Sequence, residues 1–389
     1  MTESSYFRLQ LIVFALVSAS FTNIYITQPV LPILQTEFSA DMVIVSFSVS
    51  AVILGIALFN LPFGFLADRL AIQPIILIGG IAVAASGLIC ALTDHLWVLI
   101  AARFLQGAFI PAMTTCLAAY LAKTLPADRL NVVMGSYVAA TVLGGLGGRL
   151  LGGWIHPPLH WRYAFVSAAT LILIATIFAL RGLPRTDSGS ERQTNSIGIL
   201  ALLKRREILL IYLCATGSFA VFSSIFNYLP FRLTAPPFNL STEMTTMLYL
   251  AYIVGIFMGP LAGKISNRIG GGNTLIAGSL VLGAALMLIL LPSIMATVLG
   301  LLGICAGFFS IHAAAVGALN RMLTGGQGKA NALYVMFYYM GGWAGITISG
   351  VAYKQGGWNV VVYFCALLLL IPISAGIGER RIRNHPTSP

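Results

Sequence analysis

Twelve runs of about 20 apolar residues succeed one another along the chain, more apolar length than a soluble core can bury. In the first half they fall at roughly 9–34, 43–66, 74–93, 96–122, 131–155 and 161–182. In the second they fall at roughly 208–230, 244–264, 274–292, 297–320, 331–353 and 358–378. Each has the length of a helix that crosses a bilayer, and none shows the in/out alternation of a barrel strand. Composition agrees. Of 389 residues, 58% are hydrophobic and 8% charged, whereas a soluble domain carries about 25% charged residues. An all-α integral membrane protein with twelve transmembrane helices is predicted. The run from Leu9 to Leu34 is too long for a signal core, so it is expected to be the first span.

The net charge of +11 would suggest nucleic acid in a soluble chain. Here the basic residues are spread as loop punctuation, which fits topology better and predicts no nucleic-acid partner. With the N-terminus inside, seventeen Lys and Arg fall on the cytoplasmic side, and only Arg162, Arg232 and Lys354 fall outside. Both termini are therefore expected in the cytoplasm. Cys90, Cys116, Cys214, Cys305 and Cys365 lie singly within apolar runs, as buried thiols do. No P-loop, Rossmann fingerprint, zinc spacing or nucleophile elbow occurs, so no catalytic set, cofactor or metal is expected.

A short turn occurs twice. Gly64-Phe65-Leu66-Ala67-Asp68-Arg69 is echoed 199 positions later by Gly263-Lys264-Ile265-Ser266-Asn267-Arg268. Gly55 answers Gly255 and Gly107 answers Gly307, while Gly144, Gly148 and Trp161 answer Gly341, Gly345 and Trp358 at an offset of 197. Two homologous halves follow: a six-helix bundle at 1–184, a cytoplasmic linker at 185–207 and a second six-helix bundle at 208–389. Repeats of this kind are the usual trace of a transporter's two bundles.

The first turn also resembles the loop between spans two and three of the major facilitator superfamily, Gly-x-x-x-Asp-Arg followed by Gly-Arg-Lys. Gly64, Asp68 and Arg69 match, but Leu70-Ala71-Ile72-Gln73 replaces the second basic cluster. In the fourth span, Arg103-Phe104-Leu105-Gln106-Gly107 resembles the family's Arg-x-x-Gln-Gly. The fifth, with Gly144, Gly148 and Gly152 four apart, looks like the glycine-rich motif shared by the family's exporters. Arg149 stands where that motif has proline, a departure similar to a bacterial branch of drug:proton antiporters and arabinose-efflux-like permeases.

The resemblance implies a conformational latch at Asp68 and Arg69, with Arg129 as a partner across the cytoplasmic loops. An arginine inside the hydrocarbon must face protein or a water-filled cavity. Arg103 would either take part in proton coupling or substrate contact, or tie neighbouring helices by bonding their carbonyls. Arg149 would be a second cationic contact or an outer tie between bundles. His312 would carry a coupling proton or be hydrogen-bonded between helices. Asn23, Gln28, Gln106, Asn227, Tyr252, Tyr334 and Tyr338 are the candidates for a substrate cavity. No acid lies mid-span, so that cavity should be electropositive.

The family implied is that of secondary transporters working by alternating access across the bacterial inner membrane. Proton-coupled efflux of a drug or small metabolite is the expected function, with proton-coupled uptake of a small organic anion as the alternative. The expected partners are a small-molecule substrate, protons and the lipid bilayer. The protein is expected to act as a monomer.

Overall fold

The computed structural model describes residues 3–184, 198–323 and 327–384. Residues 185–197 of the expected linker lie outside the described residues. The first six helices are α1 (Glu3–Thr22), α2 (Leu31–Glu37), α3 (Met42–Ala67), α4 (Ile72–Leu92), α5 (Leu96–Met113) and α6 (Thr115–Thr124). There follow α7 (Ala127–Ile155), α8 (Arg162–Gly182), the short α9 (Ile199–Lys204) and α10 (Arg206–Thr234). The remainder are α11 (Thr242–Leu248), α12 (Val254–Ile269), α13 (Gly271–Leu288), α14 (Ile294–Arg321), α15 (Gln327–Leu368) and α16 (Leu370–Asn384).

Ten described helical stretches are long and apolar enough to cross a membrane. The last of them, Gln327–Arg381, is interrupted at Gly356 and Gly357, where the backbone leaves helical geometry. Gly357 sits at φ +69°, a conformation that glycine adopts without strain. That turn separates the eleventh span from the twelfth, and the apolar helix Tyr6–Thr22 supplies the first. The fold is all-α, with the twelve spans expected.

The first span differs from the uninterrupted run 9–34. Its helix stops at Thr22, passes through a 3-10 turn at Gln28–Val30 and resumes as α2. Pro29 has no N–H and its ring crowds the carbonyl four residues back, so the helical ladder cannot continue. In its place the backbone makes tighter bonds, from Asn23 N to Ser20 O at 3.3 Å and from Ile24 N to Phe21 O at 3.1 Å. The fourth span bends at Thr114, three residues after Pro111, and the eighth passes through a 3-10 segment at Tyr249–Ile253.

The chain forms two compact units. One comprises Met1–Arg192 with Ser241–Tyr249, and the other Gln193–Leu240 with Leu250–Pro389. Ser241–Tyr249, which the sequence counts within the second half, groups with the first unit because α11 packs on α7. Gly153 makes room there, since a Cβ at that position would run into the Thr246 side chain.

In the first unit α7 lies against α1 at very close range. A methyl group at Gly144, Gly148 or Gly152 would strike the carbonyl of Ser18, Thr22 or Ile26 in turn. The smooth face also carries polar ties: Thr22 Oγ1 donates to Ser18 O at 2.9 Å and Gly144 O at 3.3 Å. At one end of this unit Arg162 joins three loops, bonding Glu37 at 2.5 Å and Asp94 at 2.9 Å. The indole of Trp161 donates to the same Glu37 carboxylate.

Candidate functional site

The break in α1 leaves carbonyls with no N–H of their own helix to accept from. Arg103, on α5, supplies the donors. Its Nη1 reaches Asn23 O and its Nη2 reaches Ile24 O, both at 2.6 Å. Nε donates to Ser48 O on α3 at 2.7 Å. Nη1 also donates to Gln106 Oε1 at 2.6 Å. Gln106 passes the network on, its Nε2 lying 3.2 Å from Val83 O and 3.4 Å from Asn23 Oδ1. Arg103, Gln106 and Asn23 have no solvent exposure. One planar fork thus bonds three helices at the point where one is broken.

Arg149, on α7, forms a second centre. Its Nε donates to Gln28 Oε1 at 2.6 Å and its Nη1 to Gly145 O at 2.8 Å. The guanidinium lies 3.9 Å from the ring centre of Tyr25 and 5.4 Å from that of Tyr249. Such cation–π contacts are strongest away from water, and Arg149 is only 1% exposed. Asn23, Gln28, Gln106, Arg103 and Arg149 are thus gathered around one broken segment. Tyr25 and Tyr249 complete the group. Their positions in apolar runs had left their contact with a cation unmarked.

The other candidates lie in the second unit, in a cluster of rings. Phe222 stacks on Phe308 at 4.0 Å between centroids, and Phe219 on Tyr338 at 3.7 Å. Tyr252 meets Phe222 and Phe226 edge-on at 5.2 and 5.3 Å. His312 is hydrogen-bonded to the Tyr334 hydroxyl through Nδ1 at 2.9 Å, and its ring packs against Phe308. Asn227 is fully buried in α10.

At the repeated turn, Asp68 pairs with Lys123 at 2.8 Å, and Lys123 also donates to Ala67 O at 3.1 Å. Lys123, at the end of the fourth span, had not been singled out as a partner. Arg69 is exposed beside this pair, while Arg129 lies over the Tyr6 ring at 4.9 Å. In the second copy Asn267 offers no charge, and the acid is Glu379 of α16. Its Oε2 accepts from Gly272 N at 2.6 Å, at the start of α13.

Residues 13–319 match the Major Facilitator Superfamily, and the chain belongs to that family. It is a membrane transporter for small molecules. An inner membrane transport protein, YnfM, of Escherichia coli (strain K12) is 28% identical over 382 residues, covering 97% of this chain and 91% of its own length. An uncharacterized MFS-type transporter, YybF, of Bacillus subtilis (strain 168) is 25% identical, covering 93% of this chain and 91% of its own length. Among solved structures, a bacterial homolog to the human lysosomal transporter Spinster, in an inward-facing and occupied conformation, superposes with a TM-score of 0.77. It covers 98% of each chain at 15% identity, a likeness of fold alone.

Proposed function

We propose that this transporter is a proton-coupled exporter of a small organic solute, working by alternating access in the bacterial inner membrane with both termini in the cytoplasm. The observation that carries the reading is the glycine face of α7 lying on the first span at Gly144, Gly148 and Gly152. That is the close helix contact which the exporter-like fifth-span motif requires. Asp68 and Lys123, with Arg69 and Arg129, act in this reading as an inner latch. Tyr252, Tyr334, Tyr338 and Asn227 supply solute contacts. The protein acts as a monomer and is neither an enzyme nor a nucleic-acid binder.

Uptake of a small organic anion is the second reading, favoured by two arginines buried to 0% and 1% exposure. Proteoliposomes with an imposed pH gradient separate the two. Export by antiport moves solute against the direction of proton flow, whereas coupled uptake moves both together. Solute flux indifferent to the gradient would remove proton coupling from both.

A further inference from the structure

The basic run Lys204-Arg205-Arg206 closes α9 and opens α10, the helix of the seventh span. Its middle member is fully engaged. Arg205 Nε donates to Glu207 Oε1 at 2.8 Å, and its Nη2 donates to Met322 O, just past the end of α14, at 3.2 Å. Leu202 is 0% exposed where α9 packs on α10 and α15. These contacts hold α9 at the mouth of a membrane span. The other face of α9 is bare. Leu200 is 66% exposed, although it lies outside the described stretches long enough to cross a membrane. Lys204, one helical turn on, shares that face. Lys204 and Arg206 are exposed and have no ion-pair or hydrogen-bond partner among the described residues. Glu207, the acid next to them in sequence, is already paired with Arg205.

We propose that α9 with Arg206 is a docking site for anionic phospholipid, Leu200 entering the acyl region while Lys204 and Arg206 bind headgroup phosphates. Two observations name lipid as the occupant. The segment is continuous with α10, which enters hydrocarbon a few residues on, so the bilayer surface is its neighbour. An exposed leucine one turn from an exposed lysine is also the pattern of a helix lying in the membrane interface. The two unpaired cations select the headgroup. Basic residues beside a membrane span are drawn to a negatively charged surface. A zwitterionic headgroup would bring its own cation to the same place, where an anionic one leaves its phosphate charge to Lys204 and Arg206.

The test uses the full chain in phosphatidylcholine nanodiscs with increasing phosphatidylglycerol. The five native cysteines are buried, so Leu200→Cys places an accessible thiol for an environment-sensitive fluorophore. Phosphatidylglycerol should shift the emission to the blue, shield the probe from iodide and expose it to quenching by spin-labelled acyl chains. High salt should weaken the response. Adding Lys204→Gln and Arg206→Gln should weaken it about thirtyfold, at about fivefold for each basic residue beside an anionic surface. In phosphatidylcholine alone the unfolding temperature should not change with those two substitutions, because neither side chain has a partner to lose. A fall there would give them a structural role and overturn the proposal. So would an equal response in phosphatidylcholine alone, or an undiminished response without the two cations. Shielding from iodide without quenching by acyl chains would mean that protein covers α9, and would overturn it as well.

Discussion

The two units repeat one helical plan but fill their centres with opposite chemistry. Matching the glycine contacts of the two units, Gly148 on Thr22 and Gly345 on Ala220, sets Asn23 against Val221, Ile24 against Phe222 and Gln28 against Phe226. Arg103 falls against Gly303, and Gln106 against Ala306. In the first unit the span is broken near Asn23, and a guanidinium receives the stray carbonyls. In the second unit the matching helix α10 continues through Val221 and Phe222, with Pro230 lying further along, so the carbonyls of those two residues bond within the helix. No arginine is needed, and rings such as Phe222 and Phe308 pack there instead. The break and the buried arginine therefore belong together, since each would be costly in hydrocarbon without the other.

The largest expected effect tests that pairing. Arg103→Ala should leave Asn23 O, Ile24 O, Ser48 O and Gln106 Oε1 without their donor and cost about 3–5 kcal/mol of stability, the range for removing one partner of a buried charged interaction. Thermal unfolding of the purified protein reads this directly, and transport should be lost with the fold. Arg103→Lys should recover only part, because an ammonium cannot serve the same fork of acceptors. An alanine variant with native stability but no transport would return Arg103 to a functional role and detach it from the break.

Next in size are the glycines that the two units share. Gly148 lies against Thr22 O and its repeat Gly345 against Ala220 O, so the fifth and eleventh spans use one device on the first and seventh. Gly148→Ala and Gly345→Ala should each cost about 1–3 kcal/mol by overpacking backbone against backbone. Similar losses in unfolding experiments would show that this contact survived duplication while the centres diverged. A loss confined to Gly148 would make the first-unit contact a special feature of that half.

What the sequence made legible follows from these contacts. The spans were readable because burial in lipid demands long apolar runs, and the duplication because glycine is required wherever backbones touch. The break in the first span was hidden, since Asn23 to Gln28 sit within a run that is apolar enough to count as one helix. Pro29 and Pro32 were its only local signals. The side-chain partners were hidden for a different reason: Arg103 bonds residues 55 to 80 positions away, and spacing along one helix does not reveal them. Lys123 as partner of Asp68, and Glu379 in place of an acid at Asn267, were missed in the same way.

The smallest expected effects compare the two ends of the repeated turn. Asp68 and Lys123 are exposed ion-pair partners, their side chains 61% and 41% accessible. Solvent screens such a pair, so Asp68→Asn should cost no more than about 1 kcal/mol, less in high salt. Glu379 accepts a backbone N–H at the start of α13, where the helix dipole favours a negative charge. Glu379→Gln should therefore cost more, about 0.5–2 kcal/mol by the scale of helix capping. If the Asp68 pair is a latch rather than a brace, its loss should show in turnover and not in stability. Transport by Asp68→Asn in proteoliposomes should slow, while solute affinity stays within a few-fold of native. The reverse pattern, weakened binding with normal turnover, would mean that Asp68 contacts the solute. Equal stability losses for Asp68→Asn and Glu379→Gln would mean that the two acids brace their turns alike, and the latch would then have to be sought elsewhere.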